Sequence, residues 1–503
     1  MTALEARKLA EDEIKAGKTP KYTDLREWLE IVDSIGELKK IDGADWNLEM
    51  GTLAELLSRE GKSGSVPAVL FDNVPGYPKG FRTLFAQNAS FKRMALNLGL
   101  DMNLSSLDLV RAFRQKLVNH EPIKHKVVTK GPILENVDSG DKVDLLKFPV
   151  PFMHELDGGR FIGTACLVTT RDPDEGWVNF GAYRGMVHDK NTMGLYISPG
   201  KHGSIQRNKY FERGQRCPVI VSVGQDPVLF MVSGNEIDYG VSEFDYAGGL
   251  KGAPIEVIEG KSTGLPFAAH AEIVIEGWMD PTDRKTEGPF GEWTGYYASS
   301  SRPEPVIRVE NIYYRNDPIL CCARPGRPPS DYSIAKCMVK AALIWEQVEK
   351  CGVPDVRGVW CHEAGGGRLF NIISIKQRYP GHARQAMLAA SQVHAGAYLG
   401  RYVIVVDDDI DPTNMKEVLW AMMTRVDPPT NIDIVDGAWS TPLDPRMPPY
   451  KRDSKDHTNG RAIFYAVRPY AWREKFPKVS RSSRELREQV IKKFRAVIPF
   501  PGA

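Results

Sequence analysis

The chain contains no run of eighteen apolar residues, the length a bilayer span requires, and its first stretch, MTALEARKLAEDEIKAGK, alternates charge where a secretory leader would be apolar. Neither a membrane span nor export is predicted, and a cytoplasmic location is expected. An excess of one charge is also missing. Lys plus Arg number 66 against 64 Asp plus Glu, a net of +2, so no basic surface is offered to nucleic acid or to an anionic membrane. Cysteine is sparse: seven residues, at 166, 217, 321, 322, 337, 351 and 361, with no CxxC spacing. An odd set of scattered thiols argues against a disulfide framework and makes a structural zinc site improbable. Cys321 and Cys322 end the apolar run PILCCA and are read as buried strand residues rather than nucleophiles. A phosphate loop of the GxxxxGK[ST] type is absent as well.

What is present divides by texture, as expected of 503 residues, too many for one core. Residues 1–122 read as an α/β unit. In TDLREWLEIVDSIG the apolar positions 25, 28, 29, 31 and 32 follow Thr23 or Asp24 as cap and stop at Gly36, which predicts an amphipathic helix. A second helix is expected over 47–60, then the strand AVLFDNV, the turn PGYPKG and the helical FKRMALNLGL. Residues 123–322 become short β-rich runs, FIGTACLVTTR, GWVNFGAYRGMV, PVIVSVG, PVLFMVSG, AEIVIEGWM and PVIRVENIYYR, which predict an antiparallel barrel or sandwich.

Over 323–475 the pattern alternates helix and strand. SIAKCMVKAALIWEQVEKCG, GHARQAMLAASQV and NMKEVLWAMMTRV are helical and YVIVVDDDID is a buried strand, so a second α/β unit with a mainly parallel sheet is expected. Asp407, Asp408 and Asp409 at that strand's end could hold magnesium for phosphate chemistry; without a phosphate loop they are read as a solvated strand end. Residues 476–503 read as a capped helix with a basic outer face, fit for docking or subunit contact. The expected fold class is α/β, or α+β multidomain.

Chemistry concentrates in the middle unit. EGPFGEWTGYY places Glu287 and Glu292 on a backbone that Gly288, Pro289 and Gly291 make irregular, so both are expected to be aimed by a loop. They can form an acid and base pair, or belong to a polar surface turn. Upstream, GWVNFGAYRGMVHDKNTMGLYISPGKH supplies Asn179, Arg184, His188, Lys201 and His202, and MVSGNEIDYGVSE ends in Glu243. Asn179, His202 and Glu243 offer an amide oxygen, an imidazole and a carboxylate, a set suited to a borderline cation such as manganese; individually each is as readily an ordinary hydrogen-bonding group.

These blocks carry a resemblance. FPVPFMHELDGGRFIGT, NFGAYRGMVHDK, GKH, SGNEIDYGVSE and EGPFGE, in this order, resemble the UbiD family of reversible decarboxylases, which includes the ferulic acid decarboxylases, over residues 20 to 470. The resemblance implies a split β-barrel that binds prenylated flavin mononucleotide (prenylated FMN) with Mn2+ and K+ or Na+, supplied by a flavin prenyltransferase. It implies the divalent ligands Asn179, His202 and Glu243, and a monovalent site at Phe180, Val232, Ser233 and Glu243. Thr164, Asn179, Gly181, Ala182, Arg184, Lys201, His202, Ser233 and Glu243 would contact the cofactor. Arg184, Glu287 and Glu292 match the family's Glu-Arg-Glu network, with Glu292 as proton donor. Two departures stand out: Lys201 where the ferulate enzymes have Gln, and Ala395 where the family has a lysine.

Loss of carbon dioxide from an sp² carbon leaves an anion with no internal electron sink, which is why side chains alone would not suffice and a cofactor is needed. Thr441, in WSTPLDP, stands where the ferulate enzymes carry a bulky Phe, with Leu443 next, and GRPPSDY adds Arg327; a wider pocket for a small aromatic or heteroaromatic acid is expected. The family implies a homodimer or larger homo-oligomer built through the C-terminal unit. Two other functions compete: a metal-dependent hydrolase using Glu287 and Glu292 with a water on the His202 metal, and a non-catalytic flavin-binding protein.

Overall fold

The computed structural model describes residues 3–61, 64–235, 237–495 and 497. Its opening helix, Ala3–Lys15, was not evident from the charge pattern. The helix Leu25–Ser34 forms as the apolar spacing requires: Asp24 caps it by accepting the N–H groups of Arg26 and Glu27, and Leu25, Trp28, Leu29, Ile31 and Val32 turn inward. Each such side chain contributes about 1.5–3 kcal/mol by leaving water. Trp28 also donates its indole N–H to Asn97 at 2.7 Å, so burial leaves no polar orphan there.

The N-terminal unit is not closed by its own residues. Its four-stranded sheet runs Leu38–Asp42, Ala68–Asp72, Arg82–Phe85 and then Ile319–Cys321, a strand from the far end of the β-rich region that pairs in parallel with Arg82–Phe85. Ion pairs around the buried Glu272 lock the same junction: Arg26 grips Glu272 with two bonds of 2.9 Å, and Arg315 joins Asp24 (2.8 Å) to Glu272 (3.2 Å). Cys321 and Cys322 are buried there, as the sequence predicted.

The centre is one curled half-barrel sheet of nine strands, all antiparallel. Across it run Phe161–Gly163, Gly185–Asp189, Thr192–Leu195, Arg302–Tyr314, Ile273–Glu287, Cys217–Ser222, Leu167–Arg171 and Val178–Gly181, with Asn136–Ser139 paired to Arg302–Tyr314. One expected strand is a helix. PVLFMVSG forms the helix Pro227–Ser233, because Asp226 accepts the Val228 N–H and Pro227 occupies the first turn; a short apolar run does not by itself separate buried strand from buried helix.

In the C-terminal unit the helix Ser333–Lys350 covers a five-stranded sheet ordered Val356–Cys361, Phe370–Ile375, Tyr402–Asp407, Thr458–Ala466 and Ile432–Trp439. The expectation of a mainly parallel sheet is corrected: only the two central pairings are parallel, and an antiparallel strand flanks each side. The aspartates ending the third strand are a solvated end only in part: Asp408 is exposed, as expected, but Asp407 is not. Asp407 is buried and accepts Arg425, the Arg468 main-chain N–H and Gln377, while Asp409 takes Arg425 in a two-pronged bond of 2.9 Å each. Their oxygens hold the strand end to its neighbours. The terminal helix is Arg484–Phe494, capped by Ser483; residue 496 and residues 498–503 of the expected element lie outside the described residues. Among the described residues no helix is long and apolar enough to cross a membrane.

Candidate active site

Arg184 ends the short link between the strands Val178–Gly181 and Gly185–Asp189, and its carbonyl accepts the Tyr196 N–H. Its guanidinium lies between two rings, 4.7 Å from the centre of Tyr196 and 5.3 Å from that of Phe290. It grips Glu287 with a two-pronged bond, Nε to Oε1 at 2.7 Å and Nη2 to Oε2 at 2.8 Å, and its Nη1 also donates to Glu292. Ser299 lies 3.3 Å from both terminal nitrogens and 3.4 Å from Glu292 Oε1.

Glu287 differs in one respect from its expected setting. It is the last residue of the strand Ile273–Glu287, opposite Arg302, so strand pairing fixes it, while only Glu292 is aimed by the loop. That loop is itself braced. Asp157 accepts the Gly291 N–H at 2.9 Å and faces His154 Nδ1 at 2.8 Å, and His154 Nε2 faces the Pro325 carbonyl at 2.8 Å. A Cβ on Gly291 would stand 2.8 Å from the His154 ring, so glycine is what lets the loop lie on it.

One cation among two buried carboxylates leaves a surplus negative charge. The two-pronged bond commits Arg184 to Glu287. Burial, with Glu287 adding to it, then raises the Glu292 carboxyl above its ordinary range despite the opposing pull of Arg184. The arrangement sets a buried carboxyl with a raised pKa beside an anchored guanidinium. Both Glu287 oxygens are engaged by Arg184.

The residues assigned by resemblance to metal and cofactor lie on adjoining elements. Asn179 is on the strand Val178–Gly181, and His202 and Glu243 each begin a helix, His202–Glu212 and Glu243–Lys251. Glu243 accepts the Phe180 N–H at 2.8 Å and no cationic side chain pairs with it among the described residues; burial pushes its carboxyl up to about 8. Asn179 is buried with an unsatisfied amide nitrogen, and His202 packs edge-on against Trp177 and Tyr239. A buried carboxylate without a counter-charge and an amide with a spare polar atom fit a cation, which would draw on the amide oxygen once that group is oriented toward it. No group of three His, Cys, Asp or Glu able to hold a metal occurs among the described residues.

Ala182 donates its N–H to the Ser233 carbonyl at 2.9 Å, tying the strand end to the helix that carries Val232 and Ser233. Gly181 and Gly203 both face the Tyr183 ring, where a Cβ would come within 2.5 and 2.8 Å. Thr164 accepts the Ala323 N–H at 3.1 Å, and the Lys201 ammonium lies 5.7 Å from the Tyr398 ring of the C-terminal unit. From that unit Lys336 reaches the Gly234 carbonyl, a lysine the sequence reading did not single out, whereas Ala395 donates its N–H to Gln347. Thr441 is buried and accepts the Leu443 N–H, and Arg327 is exposed. His154, Asp157 and Ser299 were also missed. The first two stand in the quoted FPVPFMHELDGG block, yet nothing in that string says that they brace a loop more than 130 residues away.

A curled antiparallel half-barrel between two α/β units, with a buried arginine between two glutamates, defines a distinct class of protein, and comparison with known sequences agrees. Three domain profiles of the 3-octaprenyl-4-hydroxybenzoate carboxy-lyase family match: the N-terminal domain over 29–115, the Rift-related domain over 125–328 and the C-terminal domain over 333–466. The chain belongs to the UbiD family of carboxy-lyases. It is 33% identical to the pyrrole-2-carboxylic acid decarboxylase of Pseudomonas aeruginosa over 80% of this chain and 83% of that protein. A vanillic acid decarboxylase of Sedimentibacter hydroxybenzoicus superposes with a TM-score of 0.80 at 26% identity, covering 94% of this chain and 99% of that one. The UbiD-class enzyme HmfF of Pelotomaculum thermopropionicum, solved in complex with FMN, gives 0.80 at 26% identity over 92% and 98%.

Proposed function

We propose that this protein catalyses the reversible, non-oxidative decarboxylation of an aromatic or heteroaromatic acid, with Arg184 and Glu287 holding the substrate carboxylate and Glu292 delivering the proton. The observation that carries this reading is a guanidinium held in a two-pronged bond by Glu287 beside a second buried carboxyl, Glu292, that it also touches and whose pKa burial raises. Arg184, steadied by Glu287, orients the carboxylate through its planar fork. Glu292 then gives its proton to the ring carbon that carbon dioxide has left, and regains it from solvent through the same carboxyl.

Prenylated FMN would supply the electron sink that such a carbon requires, with a flavin prenyltransferase as its source. Asn179, His202 and Glu243 would hold a divalent ion, Mn2+, at the flavin phosphate, and the Phe180, Val232 and Ser233 carbonyls with Glu243 a monovalent one, K+ or Na+. Thr164, Gly181, Ala182, Lys201 and Ser233 would line the cofactor. Support comes from the uncompensated Glu243 carboxyl and the FMN complex of HmfF. The domains are proposed as 1–122, 123–322, 323–475 and 476–503.

The test is purification with and without co-production of a flavin prenyltransferase, followed by absorbance, mass analysis of the released cofactor, and carbon dioxide release from a panel of ring acids. A modified flavin and carbon dioxide release only after co-production are expected. Colourless, inactive protein from both preparations would falsify the reading.

A further inference from the structure

We propose that His154, acting through Asp157, is a positioning residue that seats the proton donor Glu292 and takes no part in gripping the substrate carboxylate. The inference rests on the decarboxylase reading and adds to it a division of labour between two neighbouring segments. Glu287 ends a strand and is held by its pairing with Arg302, so the half-barrel sheet sets the two-pronged bond to Arg184. Glu292 lies beyond Gly288, Pro289 and Gly291, where that pairing has stopped, and its place must be fixed by other contacts.

Residues 154–158 supply them on both sides of the donor. Ahead of Glu292, the Gly158 N–H donates to the Pro289 carbonyl at 2.7 Å, Asp157 Oδ1 accepts the Gly291 N–H at 2.9 Å, and the His154 ring meets Phe290 edge-on at 5.9 Å. Behind it, the Leu156 N–H donates to the Tyr297 hydroxyl at 3.3 Å, and the same His154 ring stands edge-on to Tyr297 at 6.4 Å. The two chains approach this closely because glycine faces glycine: a Cβ on Gly158 would stand 2.0 Å from the Gly288 carbonyl oxygen.

His154 anchors the seat at its far end. Its Nδ1 faces Asp157 Oδ2 and its Nε2 the Pro325 carbonyl, each at 2.8 Å, and Pro325 lies in the segment that joins the strand Ile319–Cys321 to the helix Ser333–Lys350. A carbonyl only accepts, so Nε2 carries a hydrogen, and a second hydrogen lies between Nδ1 and the carboxyl. The pair thus holds two protons and is neutral overall, and its nitrogens and oxygens are all engaged although His154 is only 9% exposed and Asp157 7%. Removing the brace would release the Gly291 N–H and the backbone around Glu292, whereas Arg184 and Glu287 would keep their bond.

The experiment uses protein co-produced with the prenyltransferase, as the native chain, His154→Phe, Asp157→Ala and Asp157→Asn. His154→Phe keeps a ring against Phe290 and Tyr297 but loses both N–H groups. Asp157→Ala removes the acceptor for Gly291; Asp157→Asn restores it through the amide oxygen, and its amide nitrogen can donate to Nδ1 of a neutral ring. Four quantities are read: amide hydrogen exchange of the peptide 288–297 by mass spectrometry, calorimetric dissociation constants of benzoate and pyrrole-2-carboxylate, carbon dioxide release in a single turnover, and steady-state product formation. We expect His154→Phe and Asp157→Ala to speed loop exchange about tenfold or more and to slow product formation about 10- to 100-fold, with the dissociation constants and single-turnover release changed less than about threefold, and Asp157→Asn to recover most of the loss. Dissociation constants that rise in step with the fall in product formation would make the segment a general support and overturn the proposal, as would native loop exchange and product formation in both disrupting variants. If His154→Phe fails to fold, Asp157→Ala and its rescue by Asp157→Asn decide. No carbon dioxide from the native protein removes the decarboxylase reading and leaves loop exchange to judge the brace; a native protein that releases carbon dioxide, with variants that match it throughout, removes the brace alone.

Discussion

Replacing Glu292 by Gln keeps the size of the side chain and its hydrogen bonds to Arg184 and Ser299 but removes the transferable proton. Substrate binding and carbon dioxide release should survive while product formation falls by on the order of 10²- to 10⁴-fold. In heavy water the native enzyme should place deuterium at the carbon that bore the carboxylate and should exchange the same position of added product; native-rate exchange by Glu292→Gln would move the role elsewhere. The raised Glu292 carboxyl also sets a pH direction. A donor must be protonated, so the exchange rate should hold through the acidic range and fall as pH rises through that raised value. Glu287→Gln should behave differently. It removes the negative charge beside Glu292 while Arg184 keeps its bond to that carboxyl, which lowers the donor's pKa as well as loosening the carboxylate grip, so KM should rise and kcat fall together. Steady-state kinetics separate the two variants.

Segments that hold the site carry costs that single substitutions can expose. Asp331 is buried, with one oxygen unsatisfied and the other taking the Arg324 N–H, and burial lifts its carboxyl to about 7. A folded-state pKa above the unfolded value gives stability that is complete below about pH 4 and is lost as pH rises through about 7. Asp331→Asn should therefore stabilise the fold by at most about 4 kcal/mol at pH 8 and by little at pH 4, which thermal melts at the two pH values would read. Gly366→Ala strains a left-handed residue by about 1–2 kcal/mol and drives a methyl into Trp293, so a lower melting temperature and altered tryptophan fluorescence are expected. How far elements were legible in the sequence follows from range. The helix Leu25–Ser34 was readable because cap and apolar period are local, and Arg184, Glu287 and Glu292 through the order of their motifs. Pro227–Ser233 was misread because its seven residues carry too little period to separate 3.6 from 2. His154 and Asp157 were invisible because their meaning lies in Gly291, brought to them only by folding.

At the scale of the molecule the C-terminal unit leaves apolar surface uncovered. Leu419, Trp420 and Met423 on the helix Met415–Arg425 and Ile434 on the edge strand Ile432–Trp439 are exposed, Met423 by 76% and Ile434 by 73%. Exposed apolar side chains beside an open strand edge favour association of copies. A homodimer or larger assembly is expected at micromolar concentration, and Met423→Glu with Ile434→Glu should shift light scattering toward the 56.2 kDa of one chain. A native protein already at that mass would remove the prediction.

The strand Ile319–Cys321 gives the N-terminal sheet its fourth member about 230 residues after Arg82–Phe85 has been made. At ribosomal speeds of about 5–20 residues per second, that edge is left waiting for roughly 10–50 s. During this interval the buried surface of Leu84 and Phe85 has no lawful neighbour, and any other nascent strand is a candidate. Slowing elongation within the half-barrel segment should therefore lower the soluble yield of the whole chain, and a holding chaperone should restore it.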